Sequence, residues 1–230
     1  MMTLEKFYQK YPQQTTRLSD GKTFTYRYYK NPKAKATIVL LTGGIAAQII
    51  ASKYPEYIEG LVLSNTCSLE KDMEEAAYLH LMNMIKSQEQ SKKLLSFIPF
   101  SLFKKLIKWA VMKKKTDNFS QEEKALMESL CDAMQQLLTK PYEYHMMDFL
   151  IDAQNHFDMT TECFKGWDNK VLLILSEDDT TFNQPCKDSL IHIMTNPTVV
   201  TDITGGHLAL LVKLDKYADT VRDYIMQRTK

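Results

Sequence analysis

Val171-Leu172-Leu173-Ile174-Leu175 runs without a polar residue into Ser176-Glu177-Asp178-Asp179, and Thr198-Val199-Val200-Thr201-Asp202 leads to Gly205-Gly206-His207. A short continuous apolar run bounded by polar residues suits a strand buried on both faces of a parallel sheet. Two such strands, with a helix's length of chain between them, read as parallel neighbours. The chain leaving one carries an acid and the chain leaving the other carries an imidazole, so both groups gather at the carboxyl edge, where ligands sit in such sheets.

Upstream, Thr15 to Ser19 and Thr23 to Tyr29 flank the turn dipeptide Asp20-Gly21, which predicts a hairpin with Phe24, Tyr26 and Tyr28 on one face. Ala36-Thr37-Ile38-Val39-Leu40-Leu41 is another buried strand, Gly43-Gly44 opens a helix over 45–54 that Pro55 stops, and residues 58–65 form the next strand. Strand, helix and strand here make a right-handed crossover unit. Across 68–166 the strand signal vanishes. Segments 70–87, 92–115, 121–138 and 141–157 have helical spacing, with Pro99, Asp117-Asn118 and Pro141 between them. A last helix over 213–227 places Leu214, Tyr217, Val221 and Ile225 on one stripe.

With 230 residues, 44% of them hydrophobic, the chain can bury one full core plus an inserted subdomain. Its 29 basic and 28 acidic residues nearly cancel, which gives no reason to expect nucleic acid. The opening Met1-Met2-Thr3-Leu4-Glu5-Lys6 carries an acid and no apolar run, and no long apolar stretch follows, so a cytoplasmic protein without stable membrane insertion is expected. Cys67, Cys131, Cys163 and Cys186 lack metal spacing and read as reduced thiols. No Gly-rich phosphate loop suggests a nucleotide, and no cofactor or metal is expected.

The runs Ile38-Val39-Leu40-Leu41 and Gly43-Gly44, the helix Ala46-Ala47-Gln48-Ile49-Ile50-Ala51-Ser52-Lys53-Tyr54-Pro55-Glu56, then Gly60-Leu61-Val62-Leu63, the acid segment ending at Asp179 and Gly205-Gly206-His207 resemble, in this order, a capped single-domain α/β-hydrolase of the esterase and C–C hydrolase type. The resemblance covers nearly the whole chain. It implies a three-layer α/β/α fold with a mostly parallel sheet and an antiparallel N-terminal hairpin. The core comprises 1–67 and 167–230, and residues 68–166 form a helical cap. It also implies His207 as general base and Asp179 as the acid that orients it. The family's nucleophile elbow, G-x-S-x-G, is absent. Two strands, two helices and their connections, about 50 residues, are missing between Leu41 and Gly44. An internal deletion of that kind merges two neighbouring strand positions into one and leaves apolar sheet surface open, which predicts self-association or low stability.

Each candidate has a plainer reading. His207 is either the triad imidazole, the reading its Gly pair favours, or a loop His packed on the last helix. Asp179 is favoured on spacing, while the adjacent Asp178 serves as orienting acid or as a turn cap, and Ser176 stands where the family often has Gly. Thr42 reads as a turn residue, and Ser64 and Cys67 lie at the mouth of the sheet without a feature that activates them. His145, Asp148, Asp152 and His156 share one helical stripe, a metal face in form but better explained as a solvated one. Residues 92–115 alternate apolar side chains with eight lysines. They read as a lid helix pair with its apolar face over the pocket, or as a segment lying on an anionic membrane. Met73, Met82, Met84, Met112, Met127, Met134, Met146 and Met147 give the cap an adaptable apolar lining or simply fill its core.

The expected function is that of a chain descended from a serine hydrolase acting on a carboxylic ester or related acyl bond of a small apolar substrate, inactive without its Ser. The alternative is a non-catalytic small-molecule binding protein, or a deletion product of the same fold. A small apolar acyl or ester ligand is the expected partner in the binding reading.

Overall fold

In the computed structural model the described residues are 9–17, 21, 23–26, 44–70, 73–95, 98–115, 119–137, 152–153, 156–157 and 159–228. They belong to two units, residues 1–40 and 41–230. In the first, β1 (Gln14–Arg17) pairs antiparallel with β2 (Thr23–Tyr26), Gln14 opposite Tyr26 and Arg17 opposite Thr23. Gly21 turns the chain with φ +85°, a conformation glycine adopts without strain. The hairpin forms where Asp20-Gly21 predicts it. Among the described residues, however, it is a sheet of its own, not an edge added to a larger one; the strand expected over 36–41 lies outside them.

The second unit opens with α1 (Gly44–Lys53), a single 3-10 turn (Pro55–Tyr57) and β3 (Leu61–Ser64). Then come α2 (Glu75–Leu95), α3 (Phe100–Lys115) and α4 (Gln121–Leu137). A 3-10 turn (Thr161–Phe164) leads to β4 (Val171–Ile174), α5 (Gln184–Ile193), β5 (Thr198–Val200), a turn at Gly206–Leu208, α6 (Ala209–Val212) and α7 (Leu214–Arg228). The three strands form one parallel sheet in the order β3-β4-β5, with Leu61 opposite Val171 and Leu172 opposite Thr198. The chain is thus a mixed α/β protein built on a small parallel sheet, with seven α-helices among the described residues.

Local sequence explains the helix starts. At α4, the Glu123 amide donates to Ser120 Oγ and the Ser120 amide donates to Glu123 Oε2, a reciprocal capping box. At α5, Asn183 Oδ1 accepts from the Cys186 amide. One expected break is misplaced. The sequence divided the helices between 87 and 92, but α2 continues to Leu95 and the interruption comes at Pro99, because Gln88-Glu89-Gln90-Ser91 contains nothing that stops a helix.

The core follows from β4. Val171, Leu173 and Leu175 point to one face, into a cluster with Ile45, Ile49, Leu63, Leu81, Phe164 and Leu190 from α1, β3, α2, the Thr161–Phe164 turn and α5. Leu172 and Ile174 point to the other, into a cluster with Ile203, Ala209, Tyr217 and Tyr224. Helices therefore cover both faces of the central strand, which is why its sequence does not alternate. The flanking strands are less protected, Val62 and Val199 each remaining partly exposed.

Candidate functional site

All three strands end at one edge, and the buried polar residues Asn65, Thr66, Ser68, Ser176 and Asp179 concentrate in the chain that leaves it. Asp179 is buried. One carboxylate oxygen, Oδ1, accepts from the Thr181 amide at 2.8 Å, and Oδ2 lies 3.2 Å from His207 Nδ1. An ionised carboxylate accepts the Nδ1 proton and leaves the Nε2 lone pair as the basic position. Phe182 supports the ring edge-on, with centroids 5.5 Å apart. No described residue hydrogen-bonds to Nε2, and the imidazole is partly exposed.

Asp178 does a different job. Its two oxygens accept from the Gly205 amide (3.1 and 2.9 Å), and Oδ1 also accepts from the Gly206 amide (3.0 Å), so it anchors the loop that carries His207. Gly205 has φ +131°, and a Cβ there would approach Ala209 Cα and Val212 Cγ2 to 3.0 Å. The close approach of α6 to this loop therefore requires glycine.

Beneath the pair lies a polar layer that sequence reasoning missed. Asn65, buried with φ +41°, donates from Nδ2 to the Gly206 carbonyl (2.8 Å) and to Ser176 Oγ (3.1 Å) and accepts at Oδ1 from the Ser176 amide (2.8 Å). One side chain thus ties β3, the acid segment and the histidine loop together. Lys187, buried on α5, donates 2.7 Å to the Ser176 carbonyl, which also accepts the Asp179 amide at 3.1 Å. Tyr217 on α7 receives a hydrogen bond from Ser64 Oγ at 3.1 Å. Burial raises its phenol above the ordinary range, and the hydroxyls of Ser64 and Ser176 partly offset this. The only sequence signal for Asn65 is its place after an apolar strand, since Asn tolerates a left-handed backbone.

The other candidates do not join the pair. Ser64 faces Tyr217, and Ser68 shares a 2.8 Å hydrogen bond with Ser189, which donates to Glu70 Oε2 at 2.7 Å. Burial, then the nearby Cys186, pushes the Cys67 thiol far above its usual range, so the nucleophilic thiolate is suppressed. Thr42, His145 and Asp148 lie outside the described residues. Asp152 and His156 pair with each other at the surface, with Nδ1 3.0 Å from Oδ1, and no group of three metal-ligating side chains occurs among the described residues. On α2, His80 Nε2 lies 2.8 Å from the Thr181 carbonyl, which brings that helix to the acid loop. On α3, Leu102, Leu106 and Trp109, three of the apolar residues read as a lid face, are exposed.

No known protein family, curated protein or solved structure matches the chain. The site therefore rests on its geometry. A buried carboxylate, a backbone donor and a partly exposed imidazole can accept a proton from water or from a ligand's hydroxyl, and no described hydroxyl or thiol is placed to receive that activation.

Proposed function

We propose that this chain is an α/β-hydrolase-like protein that keeps the base and the orienting acid of a serine hydrolase, lacks its nucleophile, and binds a small apolar acyl or ester ligand. In this reading 1–67 and 167–230 are the hydrolase core, 68–166 its cap, and the shortened segment before Gly44 marks the lost elbow. The contact between His207 Nδ1 and Asp179 Oδ2 carries the reading. A loop histidine with only a packing role has no need of a buried carboxylate whose other oxygen is held by a backbone amide, nor of a second acid clamping its loop. Helices on both faces of β4 and a site at the carboxyl edge agree with it. Exposure on the outer strands extends the reading to self-association, which sedimentation velocity measures.

Two measurements test it. A fluorophosphonate probe leaves the intact mass of the chain unchanged, and titration with 4-nitrophenyl butyrate moves the His207 imidazole resonances to saturation. A stoichiometric adduct that disappears in His207→Ala restores the catalytic reading. Resonances that stay in place up to the solubility of the ester remove the binding one.

A further inference from the structure

The sequence left two uses for the lysine-rich segment, a lid face over the pocket or a face on an anionic membrane. α3 carries six lysines and no acid. Its inner side is engaged: Lys108 Nζ lies 2.7 Å from Asp132 Oδ1 and 3.1 Å from Glu128 Oε1, both on α4. Met112 packs with Phe119, Met127 and Cys131 against Val212. Its outer side carries Leu102, Leu106 and Trp109, 48%, 41% and 60% exposed. They stand at i, i+4 and i+7, so they form one stripe about 10 Å long. Large apolar side chains in a row on the solvent side of a helix otherwise free of negative charge are not spent on the protein's own core.

We propose that this face of α3 docks on an anionic lipid surface, with Leu102, Leu106 and Trp109 entering the headgroup boundary and the exposed Lys105 meeting lipid phosphates. The charge chooses the occupant, because a helix whose charged residues are all lysines complements an anionic bilayer. The stripe chooses lipid over nucleic acid, since Leu102 and Leu106 offer a polynucleotide no hydrogen bond. Lysine stems lie along apolar surface while their amines stay in water, so both features act on one plane. The helix rests on the surface and does not cross it; no described helix is long and apolar enough to span a membrane. The proposal is independent of any role for His207.

Tryptophan fluorescence reads this directly. Of the two tryptophans, Trp167 is 3% exposed and Trp109 is the exposed one. Adding phosphatidylcholine vesicles with about 30% phosphatidylglycerol shifts the emission to the blue and co-sediments the chain. Affinity is about tenfold or more above that for phosphatidylcholine alone and falls in about 0.5 M salt. Lys105→Glu weakens binding by about tenfold, and Leu106→Asp removes the blue shift. Both positions are exposed, and a thermal melt confirms that each variant folds; if Leu106→Asp does not, Lys105→Glu alone decides. Equal binding to neutral vesicles, no binding to either, or variants that bind like the parent overturn the proposal. So does tighter binding to single-stranded DNA than to the anionic vesicles, or a lipid-free dimer that Leu106→Asp dissociates, which would assign the stripe to a second copy.

Discussion

Replacing Asn65 by alanine isolates the polar layer under the histidine loop, and the molecule supplies its own control. Asn65 and Asn196 have nearly the same backbone, φ +41° and +47°. Asn196 is exposed and donates one side-chain hydrogen bond, 3.0 Å to Asn169 Oδ1, while Asn65 is buried and makes three. In both, alanine at positive φ costs about 1 kcal/mol. In Asn196→Ala water replaces the lost partner, so the total stays near about 1 kcal/mol. In Asn65→Ala the Ser176 amide and the Gly206 carbonyl lose their side-chain partner inside the protein, at about 1–3 kcal/mol each, for a total of about 3–7 kcal/mol. For a chain of this length that lowers the melting temperature by roughly 6–28 °C. Urea melts of parent and both variants measure the difference. A gap between the two alanine variants of less than about 1 kcal/mol refutes the reasoning, because burial of the hydrogen bonds is then irrelevant. Asn65→Asp adds a pH signature. Its carboxyl keeps the acceptor for the Ser176 amide but faces the Gly206 carbonyl from inside the protein, so its folded pKa rises above the ordinary value of about 3.9. The folded state then binds more protons than the unfolded one, and the penalty is full above the raised pKa and fades as pH falls toward the ordinary value.

Burial raises the Cys67 thiol, so iodoacetamide leaves Cys67 unmodified in the folded chain and modifies it in urea, while partly exposed Cys163 reacts in the folded state; peptide mapping that finds Cys67 labelled first contradicts its placement. A Cβ on Gly44 would lie 2.5 Å from Thr66 Oγ1 and 2.6 Å from Thr66 Cβ. Gly44→Ala is therefore expected to cost about 1–3 kcal/mol in a urea melt, and an unchanged midpoint would show that α1 does not approach Thr66 so closely. Lys213 holds the Glu123 carboxyl below the usual range, and a lowered folded pKa contributes stability above the ordinary glutamate value that is lost as pH falls through the folded one. Glu123→Gln should accordingly lower stability by about 1 kcal/mol or less at neutral pH and converge with the parent in acid; a difference that grows on acidification has the wrong sign.

The central strand was legible because burial on both faces leaves a short, non-alternating apolar run, and its length and polar flanks suit a strand rather than a helix. Val171 to Leu175 is apolar without alternation, and the structure buries every one of those side chains. The hairpin was legible through Gly21, whose positive φ few other residues accept. Helix limits were weaker, because only Pro99 and the caps punctuate the lysine-rich helices; the 88–91 segment has no signal to stop on. The direction of α3's apolar residues could not be read at all. Leu102, Leu106 and Trp109 have the same spacing whether they face a core or the solvent, and the deciding contacts are the carboxylates of Glu128 and Asp132 on another helix, which take Lys108 inward.

The adjacent acids show the same limit at the site. Asp178 and Asp179 follow one strand, differ by no side-chain atom, and both lie near the histidine loop. Spacing alone favoured the second without excluding the first. What separates them is the turn from Ser176 to Asp179, closed by the Asp179 amide on the Ser176 carbonyl and held from below by Lys187. That turn aims Asp178 at two backbone amides and Asp179 at the imidazole. Lys187 sits in a helix whose own sequence gives it no more prominence than any surface lysine, and Asn65 arrives from a strand more than a hundred residues upstream. An acid that anchors a loop and an acid that orients a base carry the same local signature, so the assignment depends on tertiary partners. A residue such as Asn65, which touches the loop backbone but not the imidazole, leaves no trace in a search for catalytic residue types, although it connects β3 to both segments of the pair.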